Sequence, residues 1–228
     1  MKSSISCCAT SCCSNADARI AQDNIAMVYD RLSGIYDLWG KLTESRARNR
    51  AIELASIKDG QQILEVAVGT GLAFYEIVKR NPQGLNVGID LSHGMLAKAK
   101  KRLSKLPEAR YSLRTGTALD LKIATGSTDL LVNNYMFDLL SYEDMDKALT
   151  EFKRVLKKGG KLLLVNMTQG ETLGSKLYDL IYRLSPKAMG GCRGVRLTDK
   201  LIQHGFTVET TEYYQQMLFP SEVIAART

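Results

Sequence analysis

A chain of 228 residues with 45% hydrophobic and 24% charged residues can bury a sizeable core and is neither disordered nor fibrous in composition. Its formal charge of +7 favours an acidic contact, but 31 Lys and Arg are scattered among 24 acids without a basic stripe interleaved with aromatics, so no nucleic-acid partner is expected. No apolar run approaches the ~18 residues that span a bilayer, and the start lacks the apolar stretch of about 7–15 residues of a secretory signal, so the expectation is a cytoplasmic protein, with peripheral membrane contact as an option.

Residues 1–18 are rich in Ser, Ala and Thr, have no hydrophobic period and carry four of the five cysteines, Cys7, Cys8, Cys12 and Cys13. They read as a flexible tail. The thiols could capture a soft metal or metalloid or be S-acylated, yet no nearby His or second cluster completes a structural zinc site, so no metal centre is assigned. The rest, 19–228, reads as one domain. In its first part Ile25, Val28, Tyr29, Leu32, Ile35, Tyr36 and Trp39 recur at spacings of three and four, broken near Ser33 and Gly34. A second helix is predicted over 42–57, stopped by Asp59-Gly60, and contains the basic run "RARNR" at 46–50. Segment 19–57 is therefore an amino-terminal helical lid, or alternatively a surface suited to a membrane.

From there the chain alternates. Strand-like runs fall at 62–68, 85–90, 110–115, 128–134 and 161–167, with helical period over 71–80, 93–105 and 143–157. Short, almost wholly apolar strands between helices predict a parallel sheet covered on both faces. Ser92 stands where an N-cap belongs, and Gly159-Gly160 after Lys157-Lys158 where a helix C-terminus is expected. Beyond Thr168, two helical stretches at 172–184 and 196–204 precede two strand-like runs, which would close the sheet with an antiparallel pair.

The stretch "LEVAVGTG" (64–71) is a strand running into a glycine turn before a helix, the place where open α/β sheets bind ligands. A dinucleotide site would place a third glycine where Phe74 stands, and the residues after Gly69 do not complete a phosphate loop. Gly69 and Gly71 tolerate positive φ and let a ligand lie on bare backbone. Glu65 would repel a phosphate, but can fix the turn's amides or meet an ammonium group. Asp90, 21 residues after Gly69 at the end of the second strand, has the spacing of a carboxylate that accepts ribose hydroxyls. A ribose, a cationic amino-acid end and no phosphate together describe S-adenosyl-L-methionine.

With "LEVAVGTG", "VGIDLSHGMLAKAKKR", "FKRVLKKGGKLLLVN" and the preceding "VYDRLSGIYDLWG", the sequence resembles the class I S-adenosylmethionine-dependent methyltransferases. It looks like the branch holding the ubiquinone/menaquinone biosynthesis and phospholipid N-methyltransferases, over about Ile25 to Lys161. The resemblance implies a Rossmann-like, seven-stranded, mostly parallel α/β sheet with helices on both faces and an antiparallel last strand. It implies that Glu65, Gly69, Thr70 and Gly71 surround the methionine part of the cofactor, Asp90 holds the ribose, Leu91 packs on the adenine, and Tyr29 and Tyr36 cover it. Where the family has an acid for the adenine amino group this chain has Thr117, leaving the Ala118 backbone or Asp120 to recognise adenine.

Methyl transfer from a sulfonium is an in-line displacement in which alignment and dryness do most of the work and a base is optional. His93, in the first turn of a helix, and His204, before Gly205 at a helix end, read as ordinary surface and capping residues. The loop after the fourth strand, "VNNYMFDLL", faces the methyl group in this architecture, making Asn133, Tyr135 and Asp138 the candidates for shaping or polarising an acceptor. The acceptor is expected to be a small molecule or lipid-like, a quinone precursor or a phospholipid headgroup. A metalloid methyltransferase would employ the cysteines; a nicotinamide-dependent oxidoreductase is opposed by Phe74 and Glu65; a non-catalytic nucleoside sensor would differ by lacking turnover.

Overall fold

The computed structural model describes residues 43–168, 194–216 and 219–228. The cysteine tail, the helix predicted around 20–39 with Tyr29 and Tyr36, the helix at 172–184 and Cys192 lie outside the described residues. Among the described residues, no helix is long and apolar enough to cross a membrane.

The elements in chain order are α1 (Ser45–Ala55), β1 (Gln62–Val66), α2 (Leu72–Arg80), β2 (Leu85–Asp90), α3 (His93–Leu103), β3 (Tyr111–Thr115), β4 (Thr128–Asn134), a 3-10 turn (Phe137–Leu139), α4 (Tyr142–Val155), β5 (Leu156–Met167), α5 (Thr198–Gln203), β6 (Thr207–Gln216) and β7 (Phe219–Arg227). The seven strands form one sheet in the order β3-β2-β1-β4-β5-β7-β6. β1 to β5 pair in parallel, while β7 runs antiparallel to both β5 and β6, so β7 alone opposes the rest.

Period-two alternation distributes the strand side chains between two faces. Ile63, Leu130, Leu163 and Ala225 pack with Ile52 and Ala55 of α1 and Ala73 and Ile77 of α2. Their chain neighbours Leu64, Leu131, Leu162, Leu164, Ile224 and Ala226 pack on the other face with Met145, Leu149 and Phe152 of α4 and Leu201 of α5. In α4 the residues Met145, Ala148, Leu149, Phe152 and Val155, at helical spacing, are all 0% exposed. Ser141 caps that helix by accepting from the Asp144 amide at 3.1 Å, with acids in its first turn and Lys153 and Arg154 in its last. Ser92 caps α3 in the same way, accepting from Met95 at 3.0 Å.

One expectation fails. Gly159 and Gly160 do not terminate a helix, because α4 ends at Val155 and Leu156 is already extended opposite Thr128. Pairing with β4 resumes at Lys161 opposite Leu130, so Lys157 to Gly160 form a bulge near the start of β5. Gly159 takes φ +72°, and a Cβ on Gly160 would lie 2.8 Å from the Lys157 carbonyl. The connection from β3 to β4 is held from α4. Arg154 donates to the carbonyls of Leu121 (2.8 Å) and Ile123 (2.9 Å), and Glu151 accepts from the Leu121 amide at 2.7 Å.

Candidate functional site

β1, β2 and β4 run parallel, so the loops at their carboxyl ends meet at one edge of the sheet. After β1 the backbone turns through positive φ at Ala67 (59°), Gly69 (57°) and Gly71 (81°). The Gly69 amide donates to Asp90 Oδ2 at 2.7 Å, and the Ser92 amide donates to Asp90 Oδ1 at 2.9 Å. Asp90 thus organises the glycine turn and the start of α3 at once. The expectation that Glu65 fixes the turn's amides is not met, because Glu65 accepts instead from Asn134 Nδ2 at 3.1 Å. The two glycines differ. A Cβ on Gly69 would meet nothing within 4 Å, whereas one on Gly71 would lie 2.9 Å from the Ala99 Cβ of α3. Gly69 presents an open face, and Gly71 permits helix contact. Behind the turn, Arg102 Nε donates to the Thr70 carbonyl at 2.9 Å.

A cavity of about 40 Å³ opens beside this turn. Glu65, Ala67 and Thr70 line it from the β1 side, Asn134 and Tyr135 from the end of β4, and Glu44 and Arg48 from the start of α1. Three non-glycine residues have positive φ among the described residues, and two of them, Ala67 and Tyr135 (52°), line this cavity. Left-handed backbone at such residues is costly and marks a place where the surroundings impose the conformation.

The cavity's electrostatics are those of buried acids around one arginine. Glu65 is 1% exposed, and its Oε2 is buried without a hydrogen-bond partner. Burial pushes its carboxyl up to about 8, against the pull of Asn134 and Arg48 and with the help of Asp90. Glu44, 6% exposed, is pushed by burial to about 7, with Arg48 opposing and Asp138 reinforcing. Burial also holds the Tyr135 hydroxyl well above its usual range, and that hydroxyl is 2.8 Å from Ser221 Oγ. A cation entering this space would favour the charged form of both acids.

Of the expected site residues, Glu65, Gly69, Thr70, Gly71 and Asp90 come together on the first two strands, and Tyr135 joins them from β4. Leu91 stands beside Asp90 with 42% exposure, large for an apolar side chain. Thr117 Oγ1 accepts from the Leu119 amide at 3.2 Å, and Ala118 is buried. Asp120 turns outward to Lys122 at 2.6 Å, which leaves the Ala118 backbone as the alternative at this rim. Asn133 lies behind the cavity, donating to the Val66 carbonyl at 2.8 Å, and Asp138 is fully buried in the 3-10 turn. His93 is exposed with Nδ1 3.1 Å from Thr115 Oγ1, and His204 Nδ1 meets the Lys200 carbonyl at 2.8 Å, as its helix-end position implies. Glu44 and Arg48 were missed. Their separation of one helical turn was the available signal, but within a basic run it reads as solvated charge. Arg50 of the same run pairs with Glu212 on β6 at 2.8 Å, so this stretch docks on the sheet.

A family model described as a methyltransferase domain matches residues 63–160. A ubiquinone/menaquinone biosynthesis C-methyltransferase from Syntrophotalea carbinolica is 33% identical over 160 residues, covering 68% of this chain and 65% of that protein. A phosphatidylethanolamine N-methyltransferase from Cereibacter sphaeroides is 32% identical over 146 residues, covering 63% of this chain and 68% of the relative. The chain thus spans about two thirds of the length of its curated relatives, slightly less for the Syntrophotalea protein. Among solved structures, the [4+2]-cyclase SpnF aligns with a TM-score of 0.70 at 16% identity over 90% of this chain and 95% of that one. A geranyl diphosphate methyltransferase in complex with SAM aligns with a TM-score of 0.65 at 16% identity over 81% and 85%. These two likenesses establish the fold, and with the glycine turn, Asp90 and the sequence relatives they place the chain: it belongs to the class I S-adenosylmethionine-dependent methyltransferase family.

Proposed function

We propose that this chain transfers a methyl group from S-adenosyl-L-methionine to a small-molecule or lipid-like acceptor, a quinone precursor or a phospholipid headgroup. The observation that carries the reading is an open glycine face at Gly69 flanked by two carboxyl groups, Glu65 and Asp90, on the ends of adjacent parallel strands. Two acids there suit a nucleoside with an ammonium group and repel a pyrophosphate. Asp90 accepts from the Gly69 and Ser92 amides at the carboxyl end of β2, the position from which a carboxylate meets ribose hydroxyls. The buried, unpartnered Oε2 of Glu65 suits the ammonium end, with Gly69, Thr70 and Gly71 lining the methionine part. Leu91 offers its exposed side chain to the adenine, whose rim is Thr117 and the Ala118 backbone. Tyr135 shapes the acceptor side directly, and Asn133 and Asp138 support it from behind.

Bound there, the cofactor supplies an electrophilic methyl group on a sulfonium. The chain's own contribution is alignment along the displacement axis and exclusion of water from the space between α1 and the end of β4. The relatives' printed names include both a C- and an N-methyltransferase, so either kind of acceptor is consistent with the family. Calorimetry with S-adenosylmethionine tests the assignment: micromolar binding by the wild type and a loss of at least about tenfold in Asp90→Ala, the size expected for charge-assisted hydrogen bonds, support it. Equal affinity in the two proteins refutes it. Labelled donor offered with separate quinol, phosphatidylethanolamine and arsenite pools then identifies the acceptor.

A further inference from the structure

The assigned contacts to the donor leave one carboxyl in the cavity over. Glu65, Thr70 and Asp90 lie on the side of the glycine turn, and the charges that act on Glu65 are those of Arg48 and Asp90. Glu44 lies on the other side, where its neighbours are Arg48 and Asp138 of the turn after β4. Capping does not account for its burial: Glu44 sits at the start of α1, yet its side chain makes no capping bond to that helix. The other polar groups of the β4 end are engaged. Tyr135 is bonded to Ser221, Asn133 to the Val66 carbonyl, and Asn134 to Glu65.

We propose that Glu44 is the proton acceptor of the methyl transfer, and that the site therefore takes acceptors that lose a proton from carbon or a hydroxyl. The inference rests on the methyl-transfer reading above. In the step, the acceptor's C–H or O–H proton passes to the ionised Glu44 carboxylate. The pair left on the acceptor attacks the methyl carbon, the methyl–sulfur bond breaks, and its electrons remain on sulfur. One negative and one positive charge disappear together, and the proton leaves later from Glu44 to solvent. A carboxyl near neutrality is matched to this task, because it is substantially ionised at physiological pH while remaining basic enough to hold a proton. Arg48 sustains the charged form, burial and Asp138 oppose it, and Tyr135 stays protonated.

The test uses the full chain in calorimetry at pH 7, in two buffers of different ionisation enthalpy, with S-adenosylmethionine and with S-adenosylhomocysteine. Both carry the ammonium group, so any proton lost from Glu65 is common to both. Only the first carries the sulfonium, which drives Glu44 to ionise. The expected result is extra proton release with S-adenosylmethionine that disappears in Glu44→Gln, which still binds both ligands but with less preference for the sulfonium. With 1,4-dihydroxynaphthalene as acceptor, Glu44→Gln lowers kcat by about 100-fold or more and removes the limb of the kcat profile near pH 7, and Glu44→Asp restores part of the rate. Undiminished proton release in Glu44→Gln, near wild-type turnover of the diol by that variant, or methyl transfer to phosphatidylethanolamine vesicles alone overturns the assignment of Glu44. Absence of donor binding in the wild type overturns the methyl-transfer reading itself.

Discussion

The ring of Phe74 is 0% exposed and packs with Val68 and Val78 and with Ala99 and Leu103 of α3. A dinucleotide site keeps a glycine at this point so that helix and strand approach closely. Here the small residue is on the strand: a Cβ on Gly88 of β2 would lie 3.1 Å from the Phe74 ring and 2.8 Å from both Val68 and Leu113. The close approach survives with helix and strand roles exchanged, a detail hidden from the sequence because Gly88 and Phe74 are 14 residues apart. The two turn glycines make separable predictions. Gly71→Val forces a β-branched side chain into φ +81° against Ala99, so unfolding by urea should show a loss of about 1–3 kcal/mol along with lost donor binding. Gly69→Ala has open space for its Cβ, so it should lose only about 1 kcal/mol of stability while donor affinity falls sharply, because the methyl occupies the ligand's face. Equal stability losses in the two variants would contradict this division.

Among the elements, the edge of the sheet opposite the site is joined by a pair of buried amides. Asn81, which ends α2, accepts from the Gly60 and Gln61 amides at 2.8 and 3.1 Å and donates to the Gln61 carbonyl and to Asn86 Oδ1, both at 2.9 Å. Asn86 of β2 donates back to the Asn81 carbonyl and to the Arg110 carbonyl before β3, both at 2.8 Å. The two side chains together tie the starts of β1, β2 and β3 to one another. Asn81→Ala leaves several of these groups buried without partners and should cost about 3 kcal/mol in urea unfolding. A cost under about 1 kcal/mol would mean that water replaces the network. The α1 contact is different in kind: Arg50 and Glu212 hold their pair at the surface, so although Arg50 and Tyr214 draw the Glu212 carboxyl down to about 2, solvent screening leaves the pair a minor contributor to stability. The docking of α1 rests on Ala47, Ala51, Ile52 and Ala55 packed against the sheet.

For the molecule as a whole, the buried acids couple stability to pH. Glu44 and Glu65 have an ordinary value of 4.5, raised to about 7 and about 8 in the folded chain. Between those limits the folded state binds more protons than the unfolded state, so the slope of stability with pH is negative. The contribution is fully present below about pH 4.5 and is lost as pH rises to about 8. Wild-type protein without ligand should therefore lose several kcal/mol of stability from these groups between pH 5 and pH 8.5, read from urea midpoints. A Glu44→Gln, Glu65→Gln double variant should flatten that dependence, and an unchanged slope would show that the two acids are solvated. Donor binding should act in the opposite sense, since its positive charge supports the ionised forms.

The order of strands and helices, the glycine turn, the carboxylate at the end of the second strand and the antiparallel closure were all legible in the chain, because each depends on a short-range period or a local backbone requirement. The helix end misplaced at Gly159-Gly160 shows the limit of that reading: a basic dipeptide followed by glycines has the same local chemistry whether it caps a helix or forms a bulge within a strand, and the pairing of Leu156 with Thr128 settled which. Tertiary structure alone brought Glu44, Arg48, Glu65 and Tyr135 around one cavity, gave Ala67 and Tyr135 left-handed backbone, and assigned the Gly69 amide to Asp90 instead of Glu65. Burial of a charge depends on which distant segment packs over it, and no local pattern in the amino acids carries that information.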